Sequence, residues 1–168
     1  HQWALDAVPD GAVVLDVGAG PGGVAAELLK KGCDVAVVDQ FVLGEKDPRV
    51  KVHLQDLDRP PTFDASRAQY LLMLDVIEHL KDPEAFLENL RRQFGFEPKT
   101  LVLTTPNIAF AVQRLMLLFG QFNYGKAGIL DRTHTRLFTF RAIEQLLGDA
   151  GFKLKEVRGV PAPFPKRS

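Results

Sequence analysis

Val13-Val14-Leu15-Asp16-Val17-Gly18-Ala19-Gly20-Pro21-Gly22-Gly23 joins a β-branched apolar run to a glycine-rich turn. A short continuous apolar run bounded by turn residues reads as a buried strand. Glycines at its end let the chain turn tightly and bring bare backbone close to a ligand. Val24 to Lys31 follows as a helix with Val24, Leu28 and Leu29 on one face. Lys30 and Lys31 suit the helix's C-terminal dipole, and Gly32 can take the left-handed cap. A strand, a glycine loop and a helix N-terminus in this order present free N–H groups to a ligand. Val35-Ala36-Val37-Val38-Asp39 is a second apolar run closed by an acid. An acid about 20 residues beyond the glycine loop is placed to accept hydrogen bonds from ribose hydroxyls.

Working outward, Val50 to Leu54, Tyr70 to Leu74 and Leu101 to Thr104 read as further strands, and Phe152 to Val157 as a sixth. Asp82-Pro83-Glu84 is a helix start: N-cap, proline at the first helical position, acid in the first turn. Phe86, Leu87, Leu90 and Phe94 form that helix's buried stripe. Thr139 caps a later helix, with Phe138 and Ile143 as a hydrophobic staple. Ile143, Leu146, Leu147 and Ala150 are its inner face, and Gly151 ends it. Apolar strands separated by helices predict an α/β fold: a doubly wound, mostly parallel, Rossmann-like sheet with helices on both faces. Ligands then bind at the C-terminal strand ends.

Composition bounds the function. The 168 residues fit one domain, expected over 1–158, with 159–168 as an extended tail or linker. Lys+Arg and Asp+Glu both number 21, so the formal net charge is zero and a general polyanion binder is disfavoured. The single cysteine, Cys33, excludes a disulfide framework and a cysteine-based zinc cluster, which points to the cytoplasm. The apolar stretch from Ile108 to Phe119 is too short to span a bilayer and contains Gln113 and Arg114. Its spacing fits a core-facing or lid helix. The chain opens His1-Gln2-Trp3 rather than with Met, so the expectation is a segment of a longer protein, with further strands beyond its end and a fused domain as an option.

Gly18, Gly20 and Gly23 also match the G-x-G-x-x-G pattern of nicotinamide dinucleotide loops. Asp16, two residues before the first glycine, and Pro21 favour another ligand. Val14-Leu15-Asp16-Val17-Gly18-Ala19-Gly20-Pro21-Gly22 resembles the first motif of class I S-adenosylmethionine-dependent methyltransferases. Val37-Val38-Asp39, Gln55-Asp56-Leu57, Leu74-Asp75-Val76-Ile77-Glu78-His79-Leu80 and Thr104-Thr105-Pro106-Asn107 resemble the family's later motifs in order, as do His134 to Phe138 and Ala150-Gly151-Phe152. The resemblance spans roughly residues 10–157. It implies S-adenosylmethionine as cofactor. It also implies that Asp16, Gly18, Ala19, Gly20 and Leu74 lie around the methionine portion. Asp39 would hold the ribose, Gln40 and Phe41 border the adenine, and Asp56 and Leu57 read the adenine edge.

The implied reaction is methyl transfer to an oxygen or nitrogen of a small polar, anionic or glycan-like acceptor. His79 is the candidate base, because imidazole titrates near neutrality. Asp75 and His134 join it as candidate catalytic residues. Asp75, Glu78 and His79 fall at i, i+3 and i+4, and with His134 they resemble the divalent-metal arrangement of small-RNA 2′-O-methyltransferases, where a Glu stands in place of Asp75. The favoured expectation is that no metal is held. An RNA acceptor, an NAD(P)-dependent oxidoreductase and a non-catalytic binding module are the alternatives. Residues 120–136 read as a long binding loop, with Lys126, Arg132 and Arg136 free to meet an anion. Residues 1–80 carry 7 basic and 13 acidic side chains, and residues 81–168 carry 14 and 8, so the neutral total joins an acidic cofactor half to a basic acceptor half.

Overall fold

The structure is a computed structural model, and it describes residues 2–41, 47–95 and 97–159. Alternate side chains along each strand go to opposite faces of a sheet, which divides the apolar residues into two layers. From β1 (Val13–Val17), Val14 enters one layer while Leu15 and Val17 enter the other. From β2 (Asp34–Asp39), Val35 and Val37 join Val14, and Val38 joins Leu15. From β4 (Tyr70–Leu74), Leu72 faces the first layer, and Leu71 and Met73 face the second. Two short helices, α1 (Gln2–Asp6) and α2 (Gly23–Lys30), cover the first layer with Ala4, Leu5, Ala25 and Leu28. The second layer is covered by α3 (Pro83–Arg92) through Phe86, Leu87 and Leu90, and by α5 (Phe140–Asp149) through Leu146.

With β3 (Lys51–Leu54) and β5 (Thr100–Thr104), the sheet has five strands in the order β3-β2-β1-β4-β5. Every pairing is parallel, and Val14 lies opposite both Val35 and Tyr70. The strand order reverses beside β1. The helices after β1 and β4 therefore diverge to opposite faces and leave a crevice at the C-terminal strand ends. The caps read from the sequence are present. Asp82 accepts from the Ala85 N–H at 2.9 Å with Pro83 behind it, and the Thr139 hydroxyl accepts from the Ala142 N–H at 3.2 Å. Gly32 and Gly151 both take left-handed conformations after their helices.

Three expectations meet a different outcome. Phe152 to Val157 forms no strand. Phe152 instead packs edge-on against Phe94 at 5.8 Å, and the Arg91 guanidinium donates to the Gly151 carbonyl. These contacts anchor the exit from α5 at the end of α3, and Lys153, Lys155 and Glu156 gain nothing from the sheet without a ladder partner. Helix α4 (Ala111–Leu118) forms, but none of its residues is buried, so the core-facing reading of that stripe fails. The tail expected from residue 159 lies, from 160 onward, outside the described residues. Among the described residues no helix is long and apolar enough to cross a membrane.

Candidate active site

Backbone builds the first wall of the crevice. Gly18 has φ +73° and donates its N–H to the Val38 carbonyl at 2.7 Å, which folds the loop back over β2. A Cβ there would meet Val76 Cγ2 at 2.5 Å, so this position needs glycine for both its dihedral and its space. Gly20, at φ +54°, donates to Asp39 Oδ2 at 2.9 Å. The Phe41 N–H donates to Asp39 Oδ1 at 3.1 Å. Asp39 is thereby held at the tip of β2 with one lone pair committed on each oxygen, leaving capacity for a diol.

Beyond β3, Gln55 is buried and acts as a strut. Its amide donates to the carbonyls of Asp56 and Pro60, and its oxygen accepts from the Thr62 N–H. The strut fixes a turn in which Asp56 Oδ1 accepts from the Asp58 N–H at 3.0 Å and Oδ2 faces Arg59 at 3.4 Å. Asp56 thus shapes its own turn while also lining the crevice.

The far wall is made of side chains. After β4 the chain turns at Asp75, the one described non-glycine residue with positive φ, +56°. The Thr104 hydroxyl at the tip of β5 accepts from the Asp75 N–H and donates to Asp75 Oδ1, both at 2.8 Å. This clamp stabilises a backbone conformation that costs about 1–3 kcal/mol. Ile77–His79 then form a 3₁₀ turn. The distant loop is stitched to it: the Glu78 carbonyl accepts from the N–H groups of Thr135 and Arg136, and the Leu80 carbonyl accepts from the Thr135 hydroxyl at 2.7 Å.

The stitching brings His134 to His79, with ring centroids 4.8 Å apart and edge to face. His79 Nδ1 lies 3.1 Å from the Thr133 carbonyl, and His134 Nδ1 lies 3.0 Å from the Ile129 carbonyl. A carbonyl only accepts, so each Nδ1 carries a proton, and whenever such a ring is uncharged its lone pair is on Nε2. Asp131 fixes the turn that delivers the Thr133 carbonyl, accepting from the Thr133 N–H and hydroxyl at 2.8 Å. Those hydrogen bonds, the backbone one first, hold its carboxyl below the usual range, and the two histidines add to the effect. Glu78, with a carboxylate oxygen within 4.8 Å of a ring nitrogen of each histidine, is 1% exposed. Burial pushes its carboxyl up, and the Asp75 charge adds to that.

One cleft of about 210 Å³ runs along these strand ends, lined by Gly18, Asp39, Gln40, Asp56, Leu57, Asp75 and His79 of the sequence-derived candidates. Asp58, Val76 and Leu80 also line it. Asp16 is buried within β1, Ala19 and Leu74 pack partly into the first layer, and Phe41 is exposed beside Asp39. His134 reaches the site through His79. Two residues stand in motifs read from the sequence but without a role there: Thr104, whose clamp needs the β4–β5 register, and Thr135, whose partners lie more than 50 positions away. Of the three cations expected to meet an anion, Arg136 is ion-paired with Glu84, while Lys126 and Arg132 are exposed.

The model of the methyltransferase domain matches residues 3–157. The chain belongs to the methyltransferase domain family. It is a class I, S-adenosylmethionine-dependent methyltransferase, and the oxidoreductase and non-catalytic readings fall away. Similar solved structures agree on the fold. One is a protein of Haloferax volcanii described as a methyltransferase, solved with the Trm112 methyltransferase activator. It is 17% identical with a TM-score of 0.66 over 92% of this chain and 68% of that one. A Bacillus halodurans protein described as a methyltransferase is 21% identical, with a TM-score of 0.65 and the same coverage. Magnesium protoporphyrin IX methyltransferase of Synechocystis, with bound S-adenosylhomocysteine, is 19% identical, with a TM-score of 0.61 over 92% of this chain and 71% of that one. No curated protein matches the sequence closely enough to count as a relative.

The methyltransferase's residues fit its cofactor. A Cβ at Gly20 would meet nothing within 4 Å, so the loop leaves open space for a ligand to approach its backbone, and the acid at the tip of β2 still has acceptor capacity for a ribose.

Proposed function

We propose that this methyltransferase moves the methyl group onto an oxygen or nitrogen of a small polar acceptor, anionic or glycan-like, in the cytoplasm. The observation that carries the reading is a continuous cleft that follows the strand order from Asp56 and Asp39, past Gly18, to Asp75 and His79. The proposed roles follow that order. Asp56 and Leu57 read the adenine edge, and Gln40 and Phe41 border it. Asp39 holds the ribose. Gly18, Ala19 and Gly20 pack against the methionine portion, with Asp16 and Leu74 behind them.

The bound cofactor supplies a methyl group already activated on a sulfonium. The protein's first task is orientation, which can lower a barrier by about 7–11 kcal/mol. Its second is proton removal from the acceptor. His79 Nε2 has the free lone pair for it, with Nδ1–H anchored on Thr133. Such a base contributes roughly 10²–10⁴-fold. Asp75 and His134 complete the transfer end. Exposed Lys126 and Arg132 support an anionic acceptor, and the pairing of Arg136 with Glu84 leaves two cations for that role rather than three.

Incubating the enzyme and methyl-labelled cofactor with a fractionated cell extract tests this reading. Label should enter a small polar molecule through an O–CH₃ or N–CH₃ bond. Label found only on carbon, or only in protein, contradicts it.

A further inference from the structure

Helix α4 is turned inside out. Of its residues, Gln113 and Met116 are half-buried and the others are exposed. These two lie one turn apart on the same face, so a polar amide is on the side toward the protein. Leu115 and Leu117 are exposed, and Leu118 and Phe119 are 78% and 72% exposed. A helix on a protein surface ordinarily has the opposite arrangement, with its apolar stripe inward and its polar residues in water. The helix is well formed: Gly120, at φ +70°, closes it by donating to the Leu117 carbonyl at 2.9 Å.

The apolar surface continues past the helix. Phe122 and Tyr124 are both exposed, and their rings stack edge to face at 5.6 Å. A shallow groove of about 400 Å³ runs along α4, lined by Ala109, Ala111, Arg114, Leu115 and Leu118. Single exposed apolar side chains are ordinary, but a run of large ones on one surface marks a place that meets an apolar partner.

Charge narrows the partner. Residues 98–130 contain no Asp or Glu, and their charged side chains are Lys99, Arg114 and Lys126. Lys99 is tied to the Ser66 and Ala68 carbonyls ahead of β5, whereas Arg114 is exposed in the apolar groove itself. A second copy seated two-fold on this face would bring another acid-free surface to Arg114. Folding α4 over the cleft gives its leucines no apolar cover, because Asp39, Asp56, Asp58 and Asp75 line it. A bilayer with anionic headgroups supplies both needs: acyl chains for the leucines and phenylalanines, and phosphate for the guanidinium.

We propose that α4 and the segment after it, through residue 124, seat this methyltransferase on an anionic lipid surface. Eight residues of helix span about 12 Å, so α4 lies in the interfacial plane and does not cross the bilayer. It opens shortly after Thr104, the residue that clamps Asp75, so the seat belongs to the same end of the sheet as the cleft. The proposal rests on no assignment of the acceptor.

The test is co-sedimentation of the intact natural protein with vesicles of phosphatidylcholine alone and of phosphatidylcholine with 30% phosphatidylglycerol. Binding should be at least tenfold stronger to the anionic vesicles and should weaken with added salt. The double variant Leu118→Gln/Phe119→Gln should bind at least tenfold more weakly. Its melting temperature should equal that of wild type, because both side chains already face water. Arg114→Gln should lose about fivefold on anionic vesicles and nothing on neutral ones. Absence of binding to anionic vesicles, or undiminished binding by the double variant, overturns the proposal. So does a dimer in vesicle-free solution, seen by analytical ultracentrifugation, that the double variant abolishes, since the occupant would then be a second copy. Equal binding of wild type to both vesicle types overturns the choice of an anionic surface.

Discussion

At the β1–β2 side of the sheet, the ligand-facing surface is mostly main chain: Gly18 and Gly20 at positive φ, with their N–H groups on Val38 and Asp39. At the β4–β5 side it is mostly side chain: Asp75 clamped by Thr104, His79 and His134 in edge-to-face contact, and Glu78 buried near them. The first surface is built from residues within about 20 positions of one another, the span of one βαβ unit. The second joins a turn near residue 78 to a loop near residue 134. A surface made of backbone suits a constant ligand approached closely. One made of converging side chains suits chemistry, and it can change by loop substitution without disturbing the first.

If the two sides divide the work in this way, His79→Ala should show the largest effect. Turnover should fall by about 10²–10⁴-fold, with cofactor affinity unchanged, in a labelled-methyl assay beside calorimetry. Unchanged turnover would remove His79 from the chemistry. On the backbone side, Gly18→Ala should cost about 2–4 kcal/mol, from left-handed strain and the contact with Val76. That is a melting temperature roughly 5–15 °C lower. Gly20→Ala, with nothing within 4 Å of the new Cβ, should cost less than Gly18→Ala. Equal losses at the two glycines would mean that close approach to Val76 is not what selects glycine at position 18.

Asp39→Ala should weaken the cofactor about 10–100-fold, the worth of a charged hydrogen bond to a diol, with a smaller loss of turnover at saturation. The smallest effect belongs to Glu78. Burial raises its carboxyl, so the folded protein keeps that proton to higher pH than the unfolded chain does. Ionisation then costs stability that is absent at low pH and grows as pH rises past the ordinary carboxyl range. In metal-free buffer Glu78→Gln should melt higher than wild type at neutral pH, and the gap should close toward about pH 4. A gap independent of pH would place the effect in packing rather than charge.

The same contrast explains how much was legible beforehand. Strands β1, β2, β4 and β5 and both capped helices could be read from the chain, because a five-residue apolar run or an Asp-Pro cap carries its reason locally. Gly18 and Asp39 shared that advantage. The sixth strand was misread because a ladder needs a partner, and Phe152 found Phe94 instead. For helix α4 the stripe leaves core-facing and lid readings open, because periodicity reports an apolar face but not what covers it, and only the core-facing one fails. The acceptor side was legible only as a set of residue types. That His79 and His134 meet, and that both present Nε2, depends on Thr135 hydrogen-bonding across more than 50 residues and on Asp131 shaping a turn.

The most direct check of the division is a side-by-side calorimetric titration of S-adenosylmethionine into Asp39→Ala and His79→Ala. Asp39→Ala should bind about 10–100-fold more weakly than wild type, and His79→Ala should bind as wild type does. Equal weakening of both, or full-strength binding by Asp39→Ala, would contradict a cofactor held at the β1–β2 side and chemistry performed at the β4–β5 side.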